Sequence, residues 1–352
     1  MQYPLLDILK CPLTKTSLRF ELIAEFDKAY GGTTIKEVKD GLLYSETGFV
    51  FPIINGIPRL LIESLYDYAG FLQQHLPHYQ SLKNDLEKNY KGVLDHCVSK
   101  NKKTKQSFEL EWSFLDPKEK EQVWRDDSSS MPQIFLKETG ESESFYTGKT
   151  VIDVGCGHGI MTGKIAAMAS LAVGVELSKA VENAYSKNQN SKAWYLQADL
   201  QFLPFDDATF DVLYSSGVIH HTNNTELSLS LIEPVLKPGG KLCLWLYHPQ
   251  NNRIHNMILG VRGITSKLPL RLAFVLLMIF VFPFTFLLKK IKNKKKLSYR
   301  EEIIDLLDQF TPQFRYEIPH DQALLWLKRR KYAATGITTE NQFGFSVVGT
   351  KS

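Results

Sequence analysis

The sequence predicts an α/β protein built around a doubly wound, mostly parallel sheet. Three observations predict this fold. Short apolar runs alternate with helical segments from residue 149 onward, a glycine-rich turn follows the first of these strands, and an acidic residue ends each of the next two. Ligands of such sheets bind at the carboxyl ends of the strands, so we expect the functional site at that edge.

The first strand and its turn lie within residues 150–160. Apart from Asp153, the residues of Thr150–Val154 are β-branched or apolar, which predicts a short buried strand. Gly155, Gly157 and Gly159 follow at alternating positions. They predict a tight turn whose backbone can approach a ligand closely, because no Cβ intervenes.

Two acidic residues end the next two strands. Glu176 follows the second strand, where a carboxylate can accept both hydroxyl groups of a ribose, and Asp199 ends the third. Either acid could instead cap the helix that follows its strand. The further predicted strands are Leu171–Val175, Ala193–Asp199, Asp211–Gly217, Lys241–Tyr247, Ala333–Thr339 and Phe343–Gly349, and the predicted helices are Met161–Ser170, Thr225–Leu236 and Gln322–Lys331.

Five stretches of this region resemble signatures of class I S-adenosylmethionine-dependent methyltransferases, in particular the UbiE-like group, or methyltransferase type 11. They are VIDVGCGHG, GVEL, ADLQFLPFDDATFD, SSGVIHHT and LKPGG, all within residues 149–247. The resemblance implies a Rossmann-like sheet of seven strands with the last one antiparallel. It also implies S-adenosylmethionine as cofactor and methyl transfer by in-line displacement.

The resemblance gives each site residue a role. Asp153 and the turn backbone would hold the methionine part of the donor, Glu176 the ribose hydroxyls, and Asp199 the adenine amino group. Leu177 would pack on the adenine, and Ser216 would lie on the methyl side. The complete set of implied cofactor-binding residues is Asp153, Gly155, Cys156, Gly157, Gly159, Glu176, Leu177, Asp199, Leu200 and Ser216.

The sequence does not identify a catalytic base. A nitrogen or oxygen acceptor can require one, and His220 and His221 follow the fourth strand at the open end of the sheet. Both are candidates, although a structural role for the pair is favoured. Tyr247, His248 and His320 are weaker candidates.

Residues 1–62 are predicted to form a small separate α+β module. Residues 41–45 and 48–51 have the alternating pattern of the two strands of a hairpin, and Asn55-Gly56 marks a turn before Ile57. The start and finish resemble the small ribbon-like domain of activator subunits of tRNA and protein methyltransferases. Cys11 stands at one metal-ligand position of that domain, but Thr14 replaces the second cysteine. One thiol cannot make a tetrahedral zinc site, so no metal is expected.

Residues 63–148 are predicted to form a helical linker and lid. The charged run Asn101–Lys105 is expected to be a solvated linker. Trp112 and Trp124 belong to an aromatic-rich segment before the first core strand. They could lie over the ligand as part of a lid or simply anchor the core.

Residues 249–312 are an insertion, after which the core resumes at 313–352. Leu272–Leu288 are seventeen uncharged residues, against roughly 20 in a spanning helix, with basic residues on both sides. A single crossing would separate the last strands from their sheet. The segment is therefore predicted to be an in-plane or re-entrant helix broken at Pro283, or a helix buried against the core.

Peripheral membrane attachment through Leu272–Leu288 and the lysines that follow is the favoured interpretation. It makes a lipid-like acceptor reasonable, whereas a buried cap or an oligomer interface stays open. The net charge of +4 argues mildly against a nucleic-acid partner. Four scattered cysteines and a start without signal-peptide features predict the cytoplasm, with a peripheral position on the inner membrane surface as the favoured addition.

The function expected from these features is S-adenosylmethionine-dependent methylation of a small-molecule or lipid-like acceptor. Methylation of RNA or protein is the alternative suggested by the relatives of the N-terminal module. A catalytically silent scaffold that keeps the fold for partner binding is an alternative of another class.

Overall fold

One large mixed sheet organises the molecule. The computed structural model describes residues 1–114, 122–123, 126–127, 130–250, 252–292 and 299–352. Eleven strands form the large sheet in the order β1-β2-β3-β4-β9-β8-β7-β10-β11-β13-β12, and β5 and β6 pair separately. The strands are β1 (Arg19–Tyr30), β2 (Thr33–Tyr44), β3 (Val50–Ile54), β4 (Ile57–Leu60), β5 (Gln122–Val123), β6 (Asp126–Asp127), β7 (Thr150–Val154), β8 (Leu171–Glu176), β9 (Ala193–Ala198), β10 (Phe210–Ser216), β11 (Leu236–Tyr247), β12 (Ala333–Glu340) and β13 (Gly344–Thr350).

Seven strands of this sheet form the predicted α/β core. β7 to β11 run parallel, whereas β13 is antiparallel to both β11 and β12. The predicted seven-stranded, Rossmann-like sheet with an antiparallel last strand is therefore confirmed. The strand order reverses between β7 and β10, and ligands of such sheets bind at this point, beyond the carboxyl ends of the strands. Because helices cover both faces, Val151, Ile152 and Val154 of β7 are all buried.

Thirteen helices are found among the described residues, and most of them cover the sheet or its carboxyl edge. The helices are α1 (Leu5–Ile8), α2 (Ser64–Asp67), α3 (Ala69–His75), α4 (Tyr79–Ser113), α5 (Met131–Thr139), α6 (Ile160–Met168), α7 (Ala180–Lys187), α8 (Thr225–Ile232), α9 (Arg253–Thr265), α10 (Leu270–Leu276), α11 (Phe282–Lys292), α12 (Tyr299–Phe310) and α13 (His320–Arg329).

The N-terminal strands continue the core sheet. β1 to β4 pair antiparallel, and β4 then pairs in parallel with β9, where Arg59 is opposite Gln197 and Leu60 opposite Ala198. The predicted hairpin between 41–45 and 48–51 is part of the β2–β3 pair. The long strand β1 was not predicted, because its side chains are largely exposed or half-buried and give no clear alternation. The sheet thus crosses the predicted boundary at residue 62 without interruption.

The long helix α4 corrects one sequence expectation. Asn101–Lys105, expected to be a solvated linker, lies inside this helix, and Asn101 is buried. Leu94, Cys97 and Asn101 recur at helical spacing on the buried face. Lys105 pairs with the carboxylates of Glu63 (2.9 Å) and Asp67 (2.5 Å). The charges are held by acidic residues of neighbouring elements, which a local sequence window cannot show.

The insertion forms a helical cap over the carboxyl edge of the core. α10 continues into α11 through π-helical residues Leu277–Val281, so the predicted break at Pro283 does not occur. The wider π turn comes directly before the proline, where it relieves the constraint that proline places on the preceding helical turn. Residues Leu270–Leu287 are long and apolar enough, by length and composition alone, to cross a membrane.

The apolar helix packs on the protein along one side. Ala273 and Leu277 are buried, and Leu277 forms a cluster with Leu306 and Phe310 of α12. Near its start, the ring of Phe274 lies 5.7 Å from that of Phe114, at the end of α4. Only 11% of Leu270–Leu287 is buried, so the opposite side of the helix is largely uncovered.

Candidate active site

A large cavity lies at the carboxyl ends of the core strands. Its volume is about 1490 Å³, and its walls come from the strand ends, the long helix α4, and the insertion. Nine acidic residues line it, against three lysines and arginines. Since this arrangement concentrates negative charge in a partly desolvated space, the cavity favours a positively charged ligand.

The glycine turn forms the inner wall of the cavity. Gly155 and Gly157 have φ values of +83° and +53°, which disfavour other residues. A Cβ on Gly155 would lie 2.4 Å from Val218, and one on Gly157 would lie 2.9 Å from the ring of Trp112. Both glycines are therefore required by the packing of the turn against Val218 and Trp112, and the backbone of this turn, which we call the glycine cradle, lines the cavity.

Two buried carboxylates stand beside this turn. Glu176 accepts hydrogen bonds from the backbone N–H groups of Gly157 (3.0 Å) and Ser178 (2.8 Å). Asp153 accepts one from the hydroxyl of Thr162 at 2.5 Å. Burial raises the pKa of both acids, that of Asp153 to about 7. A cation placed between them would favour their ionised forms.

Asp199 is held by both its own turn and the long helix. One carboxylate oxygen accepts from the backbone N–H of Gln201 at 2.9 Å. The other accepts from the ammonium of Lys100 at 2.5 Å and from the amide of Asn101 at 3.0 Å. Helix α4 is thereby tied to the end of β9. This contact fixes the position of the acid at the cavity wall.

Nine of the ten predicted cofactor-binding residues line the cavity together. They are Asp153, Gly155, Cys156, Gly157, Glu176, Leu177, Asp199, Leu200 and Ser216. Gly159 does not line the cavity. A Cβ there would lie 2.5 Å from Tyr195 and 2.6 Å from Ala184, so its glycine is explained by packing beneath the turn.

Glu138 is a site residue that the sequence reading missed. It is buried on α5, where it accepts a hydrogen bond from Tyr214 at 2.6 Å and lies 3.4 Å from the hydroxyl of Ser216. Burial raises its pKa to about 7. Met131, Phe135 and Glu138 recur at helical spacing on the buried face. An acidic residue at an otherwise apolar position of this helix is the feature by which the sequence could have indicated Glu138.

Helix α4 covers the glycine turn from above. The ring of Trp112 lies 4.8 Å from that of His158, against Gly157. Glu111 is buried and lines the cavity, and its Oε2 atom has no hydrogen-bond partner among the described residues. Burial, together with the charge of Asp308, raises the pKa of Glu111 well above its usual value. Trp112 therefore lies over the glycine turn, and Trp124 lies outside the described residues.

A second polar cluster stands beyond the ends of β10 and β11. His221 Nε2 lies 3.5 Å from Asp308, and its Nδ1 lies 3.0 Å from the carbonyl of Phe314. Tyr247 donates to Asp308 at 2.5 Å, and the guanidinium of Arg315 lies over the Tyr247 ring. Burial alone would raise the pKa of Asp308, but His221, Tyr247 and Arg315 together lower it. Asp308 is therefore a carboxylate that orients the His221 ring.

The other candidate bases are placed less favourably. His220 is fully buried, does not line the cavity, and has no hydrogen-bond partner at either ring nitrogen among the described residues. Burial lowers its pKa well below the usual value, so it is a neutral packing residue. His248 and His320 also lie outside the cavity lining. His221 is thus the histidine of the predicted pair that the structure brings to the site.

The outer part of the cavity is lined mainly by apolar side chains, beside which stand the acidic residues of α12. The apolar walls are supplied by the insertion helices α9 and α11 and by the π-helical residues Leu277–Val281. The apolar side chains from these elements are Ile254, Met257, Ile258, Val261, Phe280, Val281 and Phe284. In the part of the chain that the structure describes, no group of three His, Cys, Asp or Glu side chains could hold a metal ion.

Comparison with known proteins identifies the central region as a methyltransferase domain. Residues 152–244 match the family described by that name. An uncharacterized methyltransferase of Mycobacterium bovis is 30% identical over 95 residues, covering 27% of this chain and 48% of the relative. A ubiquinone biosynthesis O-methyltransferase of Coxiella burnetii is 28% identical over 132 residues, covering 37% and 56%.

The two curated relatives match 27% and 37% of this chain. The chain spans about half the length of the curated relatives it matches, with 48% and 56% covered in these two. Among solved structures, an S-adenosylmethionine-dependent methyltransferase from Aquifex aeolicus aligns with 15% identity and a TM-score of 0.42, covering 70% of this chain and 98% of that one. The matched domain supports a class I methyltransferase, and the helices of the insertion lie outside it.

Proposed function

We propose that this chain is an S-adenosylmethionine-dependent methyltransferase that acts on an apolar, lipid-like small molecule. One observation carries the proposal. A glycine cradle with buried acids and a chamber with apolar walls are two ends of the same cavity. A donor bound at the first end would face an acceptor bound at the second, which is the arrangement that group transfer requires.

The inner end fits the methyl donor. The turn backbone at Gly155 and Gly157 lines the cavity, and Glu176 offers carboxylate oxygens for hydroxyl groups. Asp153 and Glu138 add two acids whose ionisation a cationic ligand would favour. When bound there, S-adenosylmethionine supplies a methyl group made electrophilic by its positively charged sulfur.

The chain's own residues would align the reactants and remove a proton. Because in-line displacement depends on alignment and on exclusion of water, Trp112 and the rest of α4 would contribute by covering the cradle. Both ring nitrogens of His221 face protein oxygens, Nδ1 the carbonyl of Phe314 and Nε2 the carboxylate of Asp308. His221 would therefore accept the proton of an acceptor hydroxyl or amine only after the longer contact, between Nε2 and Asp308, opens toward the acceptor. Glu111 lines the same cavity, and the charges of Asp308 and Glu176 both act on its carboxyl, so it lies near acids of the histidine cluster and of the glycine turn.

The apolar chamber supports a lipid-like acceptor over RNA or protein. A polynucleotide would meet acidic residues at the inner end and apolar side chains at the outer end, which is the opposite of a basic binding face. Relatives named for ubiquinone biosynthesis and for 27-O-demethylrifamycin SV methylation give weaker support, since they match only part of this chain.

Donor binding is the first test. Isothermal titration with S-adenosylhomocysteine should show binding to the purified chain, and Glu176→Ala should weaken it because the carboxylate beside Gly157 is lost. Leu325→Ala, on the exposed side of the distant helix α13, is the matched control and should bind like wild type. If neither S-adenosylmethionine nor S-adenosylhomocysteine binds, the enzyme proposal fails and a silent scaffold is favoured.

Acceptor class is the second test. Donor with a labelled methyl group is incubated with the lipid extract, the RNA and the protein of a strain that lacks this chain. We expect label in the lipid or small-molecule fraction, lost in His221→Gln without loss of S-adenosylhomocysteine affinity. Label in RNA or protein alone would contradict the lipid-like acceptor while leaving the donor assignment intact.

A further inference from the structure

The insertion presents an apolar surface that the rest of the described chain leaves uncovered. We call it the cap face, and it is formed by the outer sides of α9, α10 and α11 with the π-helical residues between them. Phe280 is 72% exposed and Phe284 63% exposed. The other exposed apolar residues of the cap face are Ile254, Met257, Val261, Ile264, Leu272, Val275, Ile279, Leu287 and Ile291.

The cavity opens through the cap face. Ile254, Met257, Phe280 and Phe284 are among its most exposed residues, and the same four side chains line the cavity. They therefore surround a mouth that leads from the outside of the cap to the site. None of these four side chains is charged, so the mouth that they form favours an apolar acceptor.

The charge of residues 253–296 has one sign, and the acidic residues of the insertion begin only at Glu301, in α12. Ten lysines and arginines lie between residues 253 and 296, whereas no aspartate or glutamate occurs between Glu233 and Glu301. Along the sequence, basic residues flank the apolar helix, with Lys267 and Arg271 before it and the lysines from Lys289 onward after it. An apolar segment flanked by basic residues is typical of a helix at an anionic bilayer surface, where acyl chains lie below phosphate groups.

We propose that the cap face docks on an anionic membrane surface and that the acceptor enters the cavity from the bilayer through the mouth. The entry step rests on the proposed function, whereas docking does not. Helix α10 with its continuation would lie in the plane of the membrane, because its inner side packs on α4 and α12 through Phe274 and Leu277. A second copy of this chain is a poorer occupant, since it would bring the basic clusters of two molecules together.

The docking test uses flotation of the purified full chain with vesicles. Phosphatidylcholine vesicles are compared with vesicles that also contain phosphatidylglycerol, at low and high salt. We expect binding to the anionic vesicles to exceed binding to the neutral ones by more than about tenfold. High salt should weaken it, because exposed charges are screened.

The test variant combines Ile264→Glu, Ile279→Glu and Ile291→Glu, which lie on the cap face but do not line the cavity. The matched control combines Leu227→Glu and Leu325→Glu, on exposed parts of α8 and α13. The test variant should lose more than about tenfold in vesicle binding, and the control should bind like wild type. Both should keep wild-type affinity for S-adenosylhomocysteine, which separates loss of docking from misfolding.

The mouth is tested by placing a fluorescent probe at its rim. Phe280→Trp should be quenched by vesicles of brominated lipids beyond the signal of the native tryptophans, and Leu325→Trp should not. The docking proposal is overturned if wild type does not float, if the control variant loses binding equally, or if bound protein resists alkaline carbonate extraction as a spanning protein does. It is also overturned if the wild-type protein is a dimer in solution and the test variant is a monomer. If the protein binds vesicles but not the donor, the docking proposal is supported and the methyltransferase proposal is contradicted.

Discussion

Gly157 shows how much of the candidate site depends on a single backbone position. Its φ of +53° lies in the left-handed region, and the ring of Trp112 occupies the space that a side chain would need. Its N–H group donates to Glu176, so the same residue positions the carboxylate expected at the ribose. A substitution of Gly157 would therefore disturb the turn conformation, the packing of Trp112 and the position of the Glu176 carboxylate together.

Gly157→Ala should abolish measurable donor binding. A left-handed non-glycine residue costs about 1–2 kcal/mol, and the added Cβ would lie 2.9 Å from Trp112. Isothermal titration with S-adenosylhomocysteine measures the loss. Gly163→Ala is the control, because that glycine lies inside α6 with Tyr195 no nearer than 3.8 Å. The control should keep donor affinity and gain roughly 0.5–1 kcal/mol in stability, and equal affinities in both variants would contradict the cradle.

Donor affinity should rise with pH through about 7. Burial raises the pKa of Asp153 to about 7, with Glu176 and Glu138 adding to the shift and the Thr162 hydrogen bond opposing it. A cationic donor prefers the ionised acid, so affinity falls as the pH drops below that value. In the absence of donor, the stability of the fold depends on pH in the opposite direction. Because the folded-state pKa exceeds the unfolded one, protonated Asp153 favours the fold at acidic pH, and this contribution is lost as pH rises through about 7.

Titration calorimetry with S-adenosylmethionine between about pH 6 and about pH 8 checks this prediction. Asp153→Asn should bind more weakly and with a flatter pH profile. Glu138→Gln should shift the midpoint to lower pH, since the charge of Glu138 contributes to the raised pKa of Asp153. An unchanged profile in Asp153→Asn would assign the titration to another group.

At the scale of elements, helix α4 links the donor site to the N-terminal part of the chain. Asn101 is buried and donates to Glu63 at 2.9 Å and to Asp199 at 3.0 Å. Lys100 adds a charge to the same carboxylate of Asp199. The acid expected at the adenine is therefore positioned by a helix that lies about a hundred residues earlier in the chain.

Asn101→Ala should destabilise the chain by about 1–3 kcal/mol, because two buried carboxylates each lose a hydrogen-bond donor. Urea unfolding monitored by circular dichroism measures the change. Gln80→Ala on the same helix is the control, since its hydrogen bond to Asn84 is exposed and should contribute little. Equal stability of the two variants would show that the Asn101 contacts do not hold the helix in place.

The same helix shows why part of the site could be predicted and part could not. Asp153, Glu176 and Asp199 lie at or next to the carboxyl ends of strands whose apolar patterns are local, and parallel strands bring these ends to one edge. Asn101, Glu138 and Asp308 reach that edge only through packing between distant elements. No local pattern distinguishes Asn101–Lys105 from a solvated charged run, because their carboxylate partners are far away in sequence.

At the scale of the whole molecule, a single sheet joins the strands of residues 1–62 to those of the core. The core was predictable because each of its strands is a short apolar run and because the glycine turn directly follows the first of them. The junction with residues 1–62 was not, because β4 pairs with β9 over two residues only. Arg59 stabilises this short junction from a buried position, donating to Glu182 at 2.8 Å and to Gln197 at 3.3 Å.

The N-terminal strands and the core should therefore unfold together. Native-state hydrogen exchange should give equal opening free energies for the amides of β3 and β9, because a continuous sheet opens as one cooperative unit. Arg59→Met should lower the stability of both strands equally, by about 1–3 kcal/mol, since it leaves Gln197 and Glu182 without this donor. Lys36→Met, which removes an exposed charge from β2, is the control and should change neither. If β3 opens well before β9 in wild type, the N-terminal part is an independently unfolding module, and the β4–β9 junction is a weak contact between two domains.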